Sequence, residues 1–556
     1  MSTFRKHLEK SLLTITDASS VEIGMPDPTR GDYATNIALE LAQKLKTDPM
    51  RLAQDIASQL LNKFAINSEA VEPGFINVKI PSDFYSSLLS NLLIDVEKTE
   101  MIGQSHKGKT VVVEYTDPNP FKEFHIGHLY SNSVGEAISR LLESQGARVF
   151  RLCYQGDVGV HVAKAIFGMM KLNSQMPDEN DGLSEKAKFL GKAYAEGDKV
   201  YESESSKKEI DELNKKIYEK DKEVLPLYEK GKKWSLQYFD YLYKKLGTKF
   251  DKLYFESEAG EHGLKIVRQN TPKVFRQDQG AIIFKGEDYG LHTRVFVNFQ
   301  GLPTYEAKEL GLAPLKYKDF PYDLSIIITG NEINEYFKVL LKALSLIKPD
   351  LASKTVHISH GMVRLTSGKM SSRTGDVVTA EQVLNDIESK LKEKFNVSSK
   401  NLEAISVGSA KYALLKSGVG KDIVFSIEES VSLNGNSGPY IQYTYARTQS
   451  VLAKSKIKNK ISNLKFNLDS LEKEERELLR KLAYFEDYAE MASKNYSPNT
   501  ICTYLFELAS SFNLFYEKHK IIGSKDQEFR LALTLGTGKI LKKGLHLLGI
   551  EAPARM

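Results

Sequence analysis

Apolar residues recur every three to four positions over much of this chain, and short runs of consecutive apolar residues interrupt that pattern at a few places. The first pattern is typical of amphipathic helices, whereas the runs indicate buried strands. Residues 1–108 combine helical periods with the alternating segment GFINVKI, which predicts a small α/β domain. From residue 386 to residue 556 the helical period continues almost without interruption, so we predict an all-helical C-terminal domain.

The middle of the chain, residues 109–385, has the pattern of a doubly wound, Rossmann-type α/β domain. The apolar run TVVVEY, a helix over residues 126–143 and the strand in ARVFRLCYQGD predict a βαβ unit, in which ligands bind at the carboxyl ends of the strands. Further strands are indicated by GAIIF, RVFVNFQG and DLSIIITG. Residues 172–235 are rich in Lys and Glu, which predicts a helical insertion exposed on both sides, or a coiled excursion from the core.

The composition is that of a folded, multidomain protein. Hydrophobic residues make up 41% and charged residues 27% of the 556 residues, which excludes a largely disordered chain. Its two cysteines, Cys153 and Cys502, are too few for a disulfide framework or a four-thiolate zinc site. We therefore predict a reducing, cytoplasmic location and no protein-bound zinc. No segment approaches the roughly 20 apolar residues of a membrane span, so no membrane contact is predicted.

The net charge of +5 is too small to indicate nucleic-acid binding on its own. The whole excess lies in residues 401–556, which hold 22 Lys and Arg against 17 Asp and Glu. A solvated helix face would explain this excess. The alternative is a basic C-terminal domain that contacts phosphate groups, and it requires other support.

Two histidines three residues apart open the predicted helix that follows the first strand of the middle domain. They lie in DPNPFKEFHIGHL as His125 and His128, with Gly127 between them. The first turn of a helix offers unpaired N–H groups and the positive end of the helix dipole, which favours a nucleotide phosphate. Imidazole N–H groups would add donors, and Gly127 would let a base or ribose approach the backbone. Taken alone, the pair is equally compatible with a surface feature or part of a metal site.

A second candidate phosphate site is the loop GKMSSRTG, residues 368–375. Lys369 supplies a point charge, and Ser371 and Ser372 supply hydroxyl groups, between two glycines. The loop lacks the GxxxxGK[ST] spacing of a P-loop, and such a loop taken alone is more often structural.

Together the two motifs resemble the HIGH and KMSKS signatures of class I aminoacyl-tRNA synthetases, in the same order and on the same elements. The surrounding sequence narrows the resemblance to the arginyl-tRNA synthetases, through VVVEYTDPNPFKEFHIGH, GDYATNIALELA, LPTYEAKELG, NSGPYIQYTYAR and the ending LLGIEAPARM. This resemblance covers essentially the whole chain. It implies an N-terminal domain that binds the tRNA elbow (1–108), a catalytic domain with a helical insertion at about 172–235 (109–385), and a helical anticodon-binding domain (386–556).

The resemblance implies that four residues bind the substrate arginine: Glu114, Asn119, Tyr305 and Glu309. Glu332, one of the acids and amides in GNEINEY, is a further candidate, and a carboxylate on a helix surface is the alternative for Glu309. A guanidinium is recognised best by carboxylates that share its desolvated, planar geometry. Asn119 matches the residue that meets the polar backbone end of the amino acid, and Tyr305 matches one that packs on its side chain. The family more often has Asp at the position of Glu309, which alters the depth of the pocket.

The implied reaction is ATP-dependent ligation of L-arginine to its tRNA, with release of AMP and pyrophosphate. The arginine carboxylate attacks the α-phosphate of ATP, and the 2′-hydroxyl of the terminal tRNA adenosine then attacks the arginyl-adenylate. Because no enzyme nucleophile is required, we expect positioning and electrostatic stabilisation by His125, His128, Lys369 and Lys122. ATP enters with Mg²⁺, and the family implies that activation needs bound tRNA. The implied ATP site comprises Gly127, His125, His128, Lys369, Ser371 and Ser372.

Five residues match tRNA-contacting positions of the family. Tyr33 and Asn36 match the N-terminal domain, and Tyr440, Tyr516 and the terminal Met556 match the anticodon-binding domain. Unstacked anticodon bases are read by aromatic stacking and edge hydrogen bonds. Packing is the alternative for each aromatic residue, and a helix start capped by Asp32 is the alternative near Tyr33. The predicted assembly state is a monomer.

Four other functions stay open from the sequence. A glutaminyl synthetase is disfavoured by the acidic residues of the candidate pocket, and a cysteinyl synthetase by the small number of cysteines. A catalytically silent tRNA-binding relative would have no reason to keep both phosphate motifs. A plain nucleotidylyltransferase would share the HxGH element without needing the aromatic helical domain. The chain departs from the arginyl family at GDVGVH, residues 156–161, where Gly-Asp-Trp-Gly-Thr-Gln is usual, so the turn is predicted but an amide contact is not.

Overall fold

The computed structural model describes residues 3–93, 102–366, 378–395, 399–455 and 468–556. The N-terminal domain is a small antiparallel sheet, of strand order β1-β2-β4-β3, covered by helices. Its elements are α1 (Phe4–Thr16), β1 (Ile23–Gly24), β2 (Tyr33–Thr35), α2 (Ile37–Leu45), α3 (Pro49–Phe64), β3 (Ser68–Val71), β4 (Phe75–Val78) and α4 (Ser82–Leu93). Helix α3 begins at Pro49 because the Asp48 carboxylate accepts the Arg51 N–H at 2.7 Å and proline suits the first helical turn.

The middle of the chain forms a five-stranded sheet in which all strands are parallel. In chain order the elements are β5 (Thr110–Glu114), α5 (Ile126–Ser144), β6 (Arg148–Gln155), α6 (Val160–Lys171), α7 (Leu183–Val200), α8 (Glu204–Tyr218), α9 (Leu225–Lys245), β7 (Lys252–Phe255), α10 (Glu256–Gln269), β8 (Arg276–Asp278), β9 (Ala281–Phe284), β10 (Arg294–Val297), α11 (Tyr305–Asp319), β11 (Leu324–Gly330), α12 (Asn334–Ile347), α13 (Pro349–Ser353), β12 (Thr355–His360) and β13 (Val363–Leu365). The spatial order β12-β11-β5-β6-β7 reverses direction between β5 and β11. This is the doubly wound arrangement, and ligands bind at its reversal point.

Two parts of this region lie outside the parallel sheet. Strands β8, β9 and β10 form a separate antiparallel sheet, so two of the predicted strands do not extend the main sheet. Helices α7, α8 and α9 form the predicted insertion and pack with α6 around a core of their own that contains Phe189, Leu213 and the fully buried Trp234. The prediction that the insertion is exposed on both sides was therefore wrong.

From residue 378 onward, the described parts of the C-terminal region are helical except for one short strand. Its elements are α14 (Ala380–Lys394), α15 (Ser399–Leu415), β14 (Ile423–Phe425), α16 (Ile427–Ser430), α17 (Gly438–Lys454), α18 (Lys473–Lys494), α19 (Pro498–Lys518) and α20 (Gln527–Leu547). Strand β14 pairs in parallel with β13. One hydrophobic core joins these helices to α5 and to the N-terminal domain. None of the described helices combines the length and the apolar composition needed to cross a membrane.

Candidate active site

The candidate site lies at the carboxyl end of β5, next to the point where the strand order reverses. Between β5 and α5 the chain follows an unusual path, since Thr116, Asp117 and Phe121 all have positive φ angles of 78°, 42° and 69°. Residues other than glycine rarely adopt this conformation, and where they do the strain is often associated with function. The loop brings the end of β5 and the first turn of α5 to the same edge of the sheet.

The two histidines of the HIGH motif are fixed in one tautomer by the backbone. His125 is the N-cap of α5, and its Nδ1 accepts the N–H of Gly127 at 3.1 Å. Nδ1 of His128 accepts the N–H of His125 at 3.2 Å, and the two rings stack with centroids 3.7 Å apart. Because both Nδ1 atoms accept, the proton of each neutral ring lies on Nε2. Burial lowers the pKa of His125 to about 4 and lowers the pKa of His128 well below its usual value, so both rings are neutral donors at neutral pH.

A cluster of buried acidic side chains, here called the acidic pocket, lies around the end of β5, at the same edge of the sheet. The Glu114 side chain ends β5 and is 2% exposed, and its Oε2 accepts a hydrogen bond from Lys316 Nζ at 2.7 Å. Glu309 is also buried, on α11, a helix whose residues are buried around most of its circumference. Burial and the neighbouring Glu114 carboxylate raise the pKa of Glu309 to about 8. Lys316 was not identified from the sequence, because it lies 202 residues from its partner.

A third carboxyl group, Asp117, completes the acidic pocket and was also missed from the sequence. Its Oδ1 accepts the backbone N–H of Tyr154 at 2.7 Å. Burial, followed by the charge of Glu114, raises the pKa of Asp117 well above its usual value. The Tyr154 hydroxyl is buried and has no hydrogen-bond partner among the described residues. A polar ligand group in the pocket would supply one.

The remaining predicted arginine-binding residues lie around this pocket. The Asn119 side chain lies against Gly156, where an added Cβ would meet Asn119 Oδ1 at 2.2 Å. Tyr305 is 55% exposed at the start of α11, and its carbonyl accepts the Tyr336 hydroxyl at 3.1 Å. The Lys308 ammonium lies 4.9 Å from the centre of the Tyr305 ring.

Two further predicted residues lie at the edges of the site. Glu332 is exposed just after β11, and its carboxylate raises the pKa of the nearby His360, although burial lowers that pKa more. Burial lowers the pKa of Lys122, whose ammonium lies 4.4 Å from the centre of the Tyr194 ring in the insertion. His360 is a third imidazole close to the HIGH histidines, and no sequence motif marked it.

The second motif, with Lys369, Ser371 and Ser372, lies outside the described residues. The described segment that follows it returns to the first motif. Ile126 N–H donates to the Val378 carbonyl at 3.1 Å, and Ala380 N–H donates to the Phe124 carbonyl at 2.8 Å. Residues 378–380, which come after the second motif in the sequence, therefore lie directly beside the HIGH turn.

The predicted tRNA-contacting residues differ in their exposure. Tyr33 is 1% exposed, and its hydroxyl donates to Asp487 Oδ2 of α18 at 2.6 Å. Its ring has no accessible face for a base, so it joins two domains, and the predicted tRNA contact is not retained for it. Asn36 is partly exposed, and its Oδ1 lacks a partner among the described residues.

A cluster of aromatic and basic side chains lies on the surface between α17 and α19. Tyr516 is 43% exposed and Tyr443 37% exposed, and the Arg447 guanidinium lies 5.1 Å and 4.8 Å from the centres of these rings. The Asn513 amide holds Arg447 by accepting a hydrogen bond at 2.6 Å and donates to the Tyr440 hydroxyl at 3.0 Å. Only Tyr440 and Tyr516 of this cluster were predicted. Met556 packs partly buried against the same helical core.

Comparison with known proteins decides the family. The arginyl tRNA synthetase N terminal domain matches residues 2–80, the catalytic domain of class I (R) tRNA synthetases matches residues 88–427, and the DALR anticodon binding domain matches residues 441–556. The chain belongs to the arginyl-tRNA synthetase family. The arginine–tRNA ligase of Bacteroides thetaiotaomicron is 30% identical over 94% of this chain and 94% of its own length. That of Treponema denticola is 31% identical over 94% of this chain and 92% of its own.

Solved structures agree with the fold of an arginyl-tRNA synthetase. The Thermus thermophilus arginyl-tRNA synthetase superposes with a TM-score of 0.82 and 23% identity, covering 99% of this chain and all of its own. The Plasmodium falciparum enzyme superposes with a TM-score of 0.79 and 21% identity over the full length of both. Within the described parts of this chain, no group of three or more His, Cys, Asp or Glu side chains is arranged to hold a metal ion.

Proposed function

We propose that this chain ligates L-arginine to its tRNA in two steps, through an arginyl-adenylate. The observation that carries the proposal is a cluster of buried carboxyl groups, Glu114 and Glu309, at the edge of the sheet where β5 ends and the HIGH turn begins α5. The pocket suits a cationic side chain, and the turn suits a phosphate. An amino acid bound across them would present its carboxylate to the α-phosphate of ATP.

Arginine fits the pocket for electrostatic reasons. Glu114, Glu309 and Asp117 bring three carboxyl groups together, and Lys316 is the cation paired with one of them. A guanidinium would neutralise a second carboxylate and form paired hydrogen bonds that neutral glutamine or cysteine side chains do not. Asn119, Tyr305 and Glu332 keep their proposed roles at the backbone end, on the side chain and at the edge of the site.

Activation needs only positioning and charge stabilisation from the protein. The Nε2–H groups of His125 and His128 are proposed to donate to the ATP phosphates, with Gly127 giving close access to the backbone. Lys122 adds positive charge nearby. Lys369, Ser371 and Ser372 are proposed from their motif to hold the departing pyrophosphate. Mg²⁺ would arrive bound to ATP, with most of its ligands from phosphate and water.

The tRNA is proposed to lie along the other two domains. Its anticodon would contact the surface of Tyr440, Tyr443, Arg447 and Tyr516, with Met556 close to it, and its elbow would contact the N-terminal domain near Asn36. The proposed domain boundaries are 1–108, 109–385 and 386–556. A monomer in the cytoplasm, with no protein-bound zinc, completes the proposal.

Pyrophosphate exchange tests this function. The full chain would be assayed with each of the twenty amino acids, with and without tRNA transcripts. We expect pyrophosphate exchange with arginine and with no other amino acid, and only when the arginine tRNA is present. Exchange with arginine in the absence of tRNA would remove the tRNA requirement, and exchange with a different amino acid would overturn the assignment.

A further inference from the structure

The proposed arginine pocket contains more carboxyl groups than cations. Glu309 is 9% exposed and Glu114 is 2% exposed, and Asp117 contributes a third carboxyl group from the loop after β5. Lys316, which is 1% exposed, is committed to Glu114 by its 2.7 Å ion pair. In the described parts of the chain, no lysine or arginine nitrogen lies within ion-pair distance of Glu309.

The other groups that face Glu309 do not supply positive charge. Glu256, from α10, is already paired with Lys308 at 2.6 Å. The phenols of Tyr154 from β6 and Tyr336 from α12 have pKa values raised well above the usual range by burial, so both are neutral. Three ionised carboxylates beside a single ammonium would leave two buried, uncompensated negative charges, which is energetically costly.

We propose that Glu309 carries a proton while the pocket is empty and that the guanidinium of arginine displaces this proton into solvent. The inference rests on the proposed arginine site. In the binding step the O–H bond of the Glu309 carboxyl group breaks, the proton leaves to buffer, and the resulting carboxylate pairs with the guanidinium, which stays charged throughout. Asp117, whose pKa burial and the Glu114 charge raise well above its usual value, keeps its proton in both states.

The direction in which arginine affinity changes with pH follows from this displacement of a proton. Because burial and Glu114 raise the pKa of Glu309 to about 8, the empty pocket is protonated below that pH and ionised above it. Arginine binding should therefore tighten as pH rises towards 8, by up to about tenfold per pH unit well below it, and then level off.

Displacement of the Glu309 proton also affects how well the pocket distinguishes arginine from citrulline. Citrulline has nearly the shape of arginine but a neutral ureido group, which forms no ion pair with an ionised Glu309 and therefore does not favour loss of its proton as a guanidinium does. Its binding should not strengthen between about pH 6.5 and pH 8, whereas that of arginine should. Discrimination against citrulline is expected to increase over the same range.

Isothermal titration calorimetry measures the displaced proton directly. Arginine would be titrated into the full chain with saturating tRNA, in pairs of buffers that differ in ionisation enthalpy, at about pH 6.5 and about pH 8.5. We expect close to one proton released at the lower pH and about a quarter of a proton at the higher pH. Glu309→Gln should release none at either pH and should bind arginine with little pH dependence, which also corrects for titration of the substrate's own amino group.

Two further variants protect the interpretation. Glu309→Asp keeps a titratable group and should keep proton release even if Glu309→Gln folds poorly. Glu335→Gln changes an exposed glutamate on α12 that pairs with Lys338, and it should behave like the unmodified protein. Arginine binding without proton release at about pH 6.5 would overturn this inference alone. Absence of arginine binding under every condition would overturn the proposed function instead.

Discussion

The HIGH histidines can donate only through Nε2, because the Nδ1 atom of each ring accepts a backbone N–H group. Each Nδ1 accepts an N–H from the first turn of α5, and burial keeps both rings neutral, so each Nε2–H is aimed and protonated before ATP arrives. Donors fixed in advance stabilise developing charge without the cost of reorganisation. In this turn the histidine side chains cap the helix through Nδ1, and the proposed phosphate contact falls to Nε2–H.

Loss of one of these donors should slow activation far more than it weakens tRNA binding. His128→Ala is expected to lower the rate of pyrophosphate exchange by about 10²–10³, with tRNA affinity almost unchanged, because His128 belongs to the catalytic domain and not to the aromatic surface of the helical domain. His262→Ala, at an exposed site on α10, is the matched control and should leave both unchanged. A parallel loss of tRNA affinity in His128→Ala would contradict the assigned role.

Which site residues could be predicted depended on how locally they are encoded. His125, Gly127 and His128 form one helix turn, so their motif carries their geometry. Lys316 meets Glu114 only because the fold brings the second half of α11 to the end of β5, and no short-range pattern reports such a contact. The acidic pocket was therefore predicted from resemblance, while the cation inside it was not.

Asp157 ties the insertion to the parallel sheet. Its Oδ2 accepts hydrogen bonds from Lys232 Nζ at 2.7 Å and Tyr228 at 2.9 Å, both on α9. The same carboxylate accepts the Ser257 N–H at 2.8 Å and its hydroxyl at 2.7 Å, at the start of α10. Asp157 is fully buried, so these four donors replace water. Through Asp157, the turn predicted at GDVGVH is thus hydrogen-bonded both to α9 and to the start of α10.

Asp157→Ala should loosen the insertion and the start of α10. Removing one partner of a buried, hydrogen-bonded ion pair costs about 3 kcal/mol or more in unfolding free energy, and hydrogen exchange should rise in α9 and α10 first. Asp240→Ala is the control, since its pair with Lys244 is exposed and should contribute less than about 1 kcal/mol. Unchanged exchange in α9 after Asp157→Ala would show that the tie is unimportant.

The insertion was mispredicted because its charged residues outnumber its apolar ones. Helix α8 still places Ile210, Leu213 and Ile217 on one face at spacings of three and four, and all three are buried. This pattern is the ordinary sign of a helix that packs on one side. The abundance of Lys and Glu reflects the solvent-exposed face of the insertion, whereas the spacing of a few apolar residues indicates its core.

At the scale of the whole molecule, helix α5 links the ATP motif to the C-terminal helices. Its Arg140 donates to the His546 carbonyl at the end of α20 at 3.1 Å. Lys411 of α15 donates to the carbonyls of Leu246 and Gly549 at 2.6 Å and 2.9 Å. The end of the chain is therefore anchored beside the catalytic domain. No sequence pattern predicted these interdomain contacts, since each joins residues more than a hundred positions apart.

The N-terminal domain is attached to α18 through Tyr33, which offers a direct test of that contact. Tyr33→Phe keeps the packing against Tyr484 but leaves the buried Asp487 carboxylate without this donor, so stability should fall by about 1–3 kcal/mol. Thermal unfolding measures the change. Tyr241→Phe, on an exposed face of α9, is the control and should unfold as the unmodified protein does. If Tyr33 contacted tRNA instead, Tyr33→Phe would weaken tRNA binding without lowering stability.

Variants of the aromatic and basic surface between α17 and α19 should separate the contribution of base stacking to tRNA binding from that of charge. Tyr516→Ala removes an exposed ring, which by analogy with base stacking costs about 1–3 kcal/mol and raises the KM for tRNA about 5- to 150-fold. Arg447→Ala should raise the same KM and also lower the salt dependence of binding by about one counterion, if the guanidinium reaches a phosphate. Tyr289→Ala, an equally exposed tyrosine of the catalytic region, is the control. Neither surface variant should change the KM for arginine, because the acidic pocket lies in another domain. If the KM for arginine and the KM for tRNA rose equally, the helical domain would be acting on catalysis through α5. The anticodon would then have to be bound by a different surface.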